Sequence, residues 1–249
     1  MGVLEAIGIL AAGMGAGAIN TMVGSGTLIT FPVLLYFGYA PVTANVSNTI
    51  GLVAGSLSGA HGYRRELQGQ ARRATRLGVA SVLGGITGAV LLLELPPSAF
   101  KRIVPVFIGI ALVLVVVQPW LSRRFAHRKA DLHEREGWVA VAGLYLCGVY
   151  GGYFGAAQGI IILAILGVAL HESLQRINGL KNVLAMLTNL VAALIFVFVA
   201  HVAWGAAILI AVGATIGGQI GARIGRRLPP AALRGVIVAV GILAILKLV

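Results

Sequence analysis

Charge is scarce in this chain, and acidic charge scarcest of all. Only 10% of the 249 residues are Asp, Glu, Lys or Arg, against about 25% in an ordinary soluble domain. With 59% hydrophobic residues and a mean hydropathy of +0.97 there is too little polar surface to face water. The seven acids lie near segment ends or in loops (Glu5, Glu66, Glu94, Asp131, Glu134, Glu136 and Glu172). A carrier of cations usually needs a carboxylate inside the membrane, so this distribution argues against cationic cargo. Cysteine is limited to Cys147 in an apolar run, which excludes an intramolecular disulfide and reads as a small packed residue. The chain has no Cys/His metal spacing, no Gly-Lys-Ser/Thr phosphate loop and no nucleophile elbow, so neither enzyme chemistry nor a resident cofactor is expected. Gly13-x-Gly15-x-Gly17 superficially resembles a dinucleotide loop, but no strand precedes it. The N-terminus lacks a basic n-region and carries Glu5, so it reads as a retained first helix rather than a signal peptide.

What the chain has is long apolar runs. They fall at about 3–22, 27–40, 43–62, 75–93 and 100–120, then at about 138–156, 158–170, 178–200, 203–223 and 232–248, with a charged stretch at 122–136 between the two sets. A full crossing takes about 20 residues, so the fold class is an all-α integral membrane protein with roughly eight to ten transmembrane helices. The second and seventh segments are short enough to be half-helices or re-entrant. The net charge of +12 does not suggest nucleic acid, because the basic residues occupy short loops between apolar runs.

An internal repeat divides the chain. One offset of 133 residues places Gly84-Gly85-Ile86-Thr87-Gly88-Ala89 on Gly217-Gly218-Gln219-Ile220-Gly221-Ala222, and Leu95-Pro96-Pro97 on Leu228-Pro229-Pro230. The same offset places Asn45 on Asn178 and Gly26 on Gly159. Such symmetry marks secondary-transporter folds. The expected organisation is a first membrane repeat over 1–121, a basic cytoplasmic linker over 122–137 and a second membrane repeat over 138–249, with about five helical segments in each half. If all ten segments cross and loop 63–76 is cytoplasmic, 16 of the 19 basic residues fall on the cytoplasmic side, both termini face outward and the repeats are inverted. If the short segments do not cross, the inversion fails.

Two polar clusters stand out. Asn20 to Pro32 contains Gly24, Ser25, Gly26 and Thr27, a break in which helix N-terminal amides could meet an anion; the plain alternative is an interhelical turn. Tyr150 to Gly159 is the matching break and ends on Gln158. At the head of segment three, Asn45, Asn48 and Thr49 superpose on Asn178, Lys181 and Asn182 at the head of segment eight. The alternatives there are helix capping, interhelical hydrogen bonding and, for Lys181, snorkelling to the interface. The candidate substrate-binding residues are therefore Asn20, Ser25, Thr27, Asn45, Asn48, Thr49, Gln158, Asn178, Lys181 and Asn182. The stripes Gly51/Gly55/Gly59 and Gly217/Gly221/Gly225 read as close helix packing. His61, His171 and His201 read as interfacial.

The ordered set Ala18-Ile19-Asn20…Gly24-Ser25-Gly26-Thr27-Leu28-Ile29-Thr30-Phe31-Pro32, Pro41-x-x-Ala44-Asn45-x-x-Asn48-Thr49-x-Gly51 and Tyr63-Arg64-Arg65 resembles the TauE/SafE family of sulfite exporters. The second half is similar to that family's second signature, through Tyr150-Gly151-Gly152-Tyr153-Phe154-Gly155-Ala156 and Asn178-Gly179-Leu180-Lys181-Asn182. The resemblance runs essentially end to end. It implies a bacterial inner-membrane permease for sulfite, sulfonates or related organic anions, in a family usually described with about eight helices. The expectation is a secondary anion transporter working by alternating access, with a passive anion channel or a non-transporting scaffold or assembly factor as rivals. The expected partners are a small anion and the lipid bilayer, with a homodimer left open and no nucleic acid; proton or sodium are the options for a coupling ion.

Overall fold

The computed structural model describes residues 1–126, 138–170 and 172–224, with positions 235, 238, 239, 242 and 245. The second Leu-Pro-Pro landmark, His171, Gly225, nearly all of the expected segment 232–248 and most of the 122–137 linker lie outside the described residues. The described elements are all helical: α1 (Val3–Met22), α2 (Thr27–Tyr36), α3 (Pro41–Gly62), α4 (Ala71–Glu94), α5 (Pro97–Ala126), α6 (Trp138–Tyr153), α7 (Gln158–Ala169), α8 (Leu174–Val199) and α9 (Trp204–Ile224). Among the described residues five stretches are long and apolar enough to cross a membrane: Val3–Met22, Ala71–Glu94, Pro97–Trp120, Leu174–Val199 and Trp204–Arg223. α3 is also 22 residues long, but it is diluted by the polar residues that concern the site. At 1.5 Å per residue, the 10 residues of α2 and the 12 of α7 reach only about half of the roughly 30 Å hydrocarbon layer.

Both short helices follow the same kind of break. α1 closes with the Val23 and Gly24 amides donating to the Ile19 carbonyl. α6 closes with the Phe154 and Gly155 amides donating to Tyr150. Gly24 and Gly155 then adopt φ of +90° and +74°, which reverses the chain at little cost only for glycine. α2 runs back along α1, as the closeness of Gly26 to Ala16 and of Gly8 to the Phe37 ring shows. The Tyr39 hydroxyl donates to Glu5 at 2.8 Å, which ties the α2–α3 connection to the beginning of α1.

Small residues set the long contacts, because without a hydrophobic driving force between helices close van der Waals packing must hold them. Gly13 and Gly17 of α1 face Ile210 and Ala214 of α9, while Gly51 and Gly55 of α3 face the same two residues. α1, α3 and α9 therefore run parallel. In the other group, Gly84 and Gly88 of α4 face Tyr145 and Val149 of α6, and Gly85 faces Thr188 of α8. Each half thus lends its fourth helix to the other half. α3 and α8 join the groups antiparallel: Tyr63, just past α3, lies against Gly179 near the start of α8, and the Ala203 amide just past α8 donates to Ser47 near the start of α3.

The connections 63–70 and 172–173 lie on one face. Glu172 takes Arg73 at 2.6 Å and Arg176 at 2.7 Å. Arg176 also donates to the Gln68 carbonyl at 3.1 Å, and Gln70 Nε2 donates to the Arg176 carbonyl at 3.2 Å. Partial burial pushes the Glu172 carboxyl up, but the hydrogen bonds from Arg176 and Arg73 outweigh it and hold its pKa below the usual value.

Candidate functional site

The two polar clusters do comparable work on opposite partners. The last carbonyls of a helix lack intrahelical donors and carry the negative end of its dipole. On α8, Lys181 Nζ donates to the Asn20 and Thr21 carbonyls at the end of α1, both at 3.0 Å. Asn182 Nδ2 reaches the Thr21 carbonyl at 3.3 Å. Asn178 Nδ2 reaches the same carbonyl at 3.4 Å and the Tyr63 hydroxyl at 2.8 Å. On α3, Asn45 Nδ2 donates to the Tyr153 carbonyl at the end of α6, at 2.9 Å. Each cluster therefore holds the broken helix of the opposite half.

The clusters differ where Asn48 is replaced by Lys181. Asn48 turns to the head of α2: its Nδ2 donates to Thr27 Oγ1 at 3.3 Å, and its Oδ1 accepts from the Thr30 hydroxyl. The Thr49 hydroxyl bonds back to the Asn45 carbonyl on its own helix, and Asn20 Nδ2 donates to Ser56 Oγ. Lys181 does not snorkel to an interface. It is 0% exposed, and among the described residues no carboxylate lies within ion-pair distance. Burying an ammonium in an apolar interior costs several kcal/mol. The two helix-end carbonyls offset part of that cost and take two of its three donors.

The two breaks touch. The Gly159 amide donates to the Gly24 carbonyl at 3.0 Å. A Cβ placed on either glycine would come within 2.4 Å of the other's Cα, so no larger side chain fits at this crossing. Five buried polar atoms in these clusters and breaks have no hydrogen-bond partner among the described residues: Ser25 Oγ, Gln158 Nε2, the Tyr153 hydroxyl, Asn45 Oδ1 and Asn178 Oδ1. Each costs about 1–3 kcal/mol when left unpaired, and such groups in a native fold call for a reason.

Nine of the ten residues expected from the sequence are buried and Asn20 is partly buried. Lys181, Asn178 and Asn182 converge with Asn20 on the end of α1; Asn48 and Thr27 form a second group, and Asn45 stands at the end of α6. Ser25 and Gln158 flank the crossing in sequence. One physical detail differs from the expectation. The amides of Gln158, Gly159, Ile160 and Ile161 all donate to carbonyls of Gly155, Gly24 and Ala157. The first turn of α7 is therefore not a bare anion nest, and donors for an anion on that side must come from side chains. The sequence reading also passed over Tyr153, Tyr63 and Thr30. Tyr153 was within reach, because the 133-residue offset places it on Asn20. Among the described residues no group of three or more His, Cys, Asp or Glu gathers to hold a metal.

Over 199 residues the chain is 24% identical to "Probable membrane transporter protein YfcA" of Escherichia coli strain K12, covering 80% of this chain and 72% of that protein. It is 24% identical over 204 residues to a "Probable membrane transporter protein" of Haemophilus influenzae, covering 81% and 78%. A similar protein from a Sinorhizobium species, "Probable membrane transporter protein ORF9", is 25% identical over 200 residues, covering 80% and 74%. No solved structure matches. The model of the "Sulfite exporter TauE/SafE" family spans residues 9–248, which takes in both breaks and both polar clusters, and the chain belongs to that family of membrane transporters.

Proposed function

We propose that this protein is a secondary transporter of the bacterial inner membrane that moves a small anion (sulfite, a sulfonate or a related organic anion) by alternating access between two inverted halves. The observation that carries this reading is Lys181, fully buried on the end of α1 with no carboxylate within ion-pair distance among the described residues; Ser25, Gln158 and Tyr153, in and next to the two breaks, carry donors with no partner among the described residues. An anion supplies the missing charge. Ser25, Gln158 and Tyr153 can donate to it, and Thr27, Asn45, Asn48, Thr49, Asn178 and Asn182 fix the helix ends around it. The sulfite exporter family to which the chain belongs suggests the chemical class, sulfite.

The inversion is supported by the antiparallel course of α3 and α8, which are equivalent under the offset, with α1 parallel to α3 and α6 parallel to α8. Inverted repeats place the substrate site where the two halves meet, and here Gly24 meets Gly159. The basic loops are assigned to the cytoplasm by their charge. Arg73, Glu172 and Arg176 link the halves on that face; in alternating access this network is the inner closure, released as the substrate passes. A proton or sodium ion remains the coupling partner to be tested by collapsing each gradient separately.

The reading is tested by counterflow. Proteoliposomes preloaded with unlabelled sulfite should transiently accumulate labelled sulfite above equilibrium. Equilibration without overshoot, together with unitary currents in bilayers, identifies a channel and overturns the carrier mechanism.

A further inference from the structure

We propose that the groove between α4 and α8 is a binding site for an anionic phospholipid, whose phosphate lies at Arg72 and Arg76 and whose acyl chain lies along the groove. The groove encloses about 440 Å³ and is lined by Ala74, Thr75, Gly78, Val79, Val82, Leu83, Val183 and Leu187. That volume lies in the roughly 300–1,000 Å³ range of small-ligand sites. Its lining offers almost nothing polar: the Thr75 hydroxyl is the one side-chain polar group, and it is already spent on the Ala71 carbonyl at 3.0 Å. An occupant of its floor is therefore hydrocarbon. Val79 and Leu83 are 55% and 53% exposed, so the groove opens sideways, to the lipid phase in a chain that spans a membrane.

Charge selects among hydrocarbon ligands. Arg72 and Arg76 are exposed residues in the first turns of α4, at positions i, i+4, i+7 and i+11 with Val79 and Leu83. One stripe of the helix thus runs from two guanidinium groups into the groove. The guanidinium fork suits a phosphate better than an ammonium does, and two bases at the end of an apolar channel near the basic face match an anionic head group on its acyl chain. Gly78 makes the space: a Cβ there would come within 2.8 Å of Leu187 Cδ1. A second copy of this chain would have to place acids opposite the two arginines, and the chain has only seven acids to offer.

The test uses the full-length protein, delipidated in neutral detergent and titrated with phosphatidylglycerol or phosphatidylcholine while bound lipids are counted by native mass spectrometry. Phosphatidylglycerol should bind at least tenfold more tightly. Arg72→Gln/Arg76→Gln should abolish that preference while both lipids still bind, and Arg72→Gln alone should remove part of it. Val79→Trp, which fills the groove from its exposed side, should weaken both lipids. Thermal melting of each variant checks that it is folded. No head-group preference in the wild type, or a preference untouched by the arginine substitutions, overturns the proposal. Competition by inorganic phosphate at the same concentration assigns the arginines to a free anion and overturns it too, as does a dimer that Val79→Trp dissociates. None of these outcomes bears on sulfite counterflow, so this proposal and the transport reading fail separately.

Discussion

The first-half cluster Asn45, Asn48 and Thr49 and the second-half cluster Asn178, Lys181 and Asn182 occupy equivalent places, yet they are not equivalent chemically. The conserved task is mechanical. Asn45 holds the end of α6 and Asn178 holds the end of α1, each by a side-chain amide on a backbone carbonyl. The position that differs pairs Asn48 with Lys181. Asn48 spends both ends of its amide on Thr27 and Thr30 and is satisfied. Lys181 brings a formal charge into the same kind of place, and no described residue neutralises it.

The comparison can be broken most severely where the halves touch. Gly159→Val places two methyl groups against the Gly24 backbone and should cost about 3 kcal/mol or more; Gly24→Ala adds the strain of a positive φ, roughly 1–2 kcal/mol. Both should lower the melting temperature and abolish uptake, measured by thermal scanning and by proteoliposome assay. A well-folded, active Gly159→Val would mean that the breaks separate in solution.

Next in size is exchange of the asymmetric residue. A charge-assisted hydrogen bond is worth about 1.5–3 kcal/mol, so Lys181→Met should weaken sulfite affinity by about tenfold to hundredfold. Asn48→Met should weaken it only about fivefold, the effect of one neutral bond. Then come the mechanical residues: Asn45→Ala and Asn178→Ala should each cost about 1 kcal/mol of stability, and by similar amounts, because they are counterparts. A large difference between their melting temperatures would break the symmetry of the holding role.

The smallest effect concerns the Glu172 network, which is partly exposed and screened. Glu172→Gln should change stability by less than about 1 kcal/mol and shift the protein toward opening on that face, read as faster labelling of a cysteine introduced at Gln68. Because the Glu172 carboxyl titrates below its usual range, the paired form is favoured above the ordinary carboxylate pKa and is lost as pH falls through the depressed one. Labelling should therefore be unchanged between pH 7 and pH 5 and rise only in stronger acid.

Much of this was legible in the sequence, for physical reasons. Close packing without water needs small residues at fixed spacing, so Gly84/Gly88 and Gly217/Gly221 recorded both the contacts and the repeat. The breaks were legible because Gly24 and Gly155 are needed for positive φ. The partners of the polar residues were not legible, because Lys181 binds carbonyls of Asn20 and Thr21, and a backbone acceptor leaves no mark on residue identity. For the same reason the engagement of the α7 amides by Gly24, Gly155 and Ala157 was invisible, and N-terminal amides there seemed available. Tyr153 was overlooked although the offset pointed to it, since aromatic residues in an apolar run read as packing.

The most direct test of the central role of Lys181 is equilibrium binding of labelled sulfite to purified wild-type protein, Lys181→Met and Asn48→Met, each shown to be folded by its melting curve. The account predicts a tenfold to hundredfold loss of affinity for Lys181→Met and a loss of only about fivefold for Asn48→Met. Equal affinity in all three proteins would contradict it and leave Lys181 as a structural cap on α1.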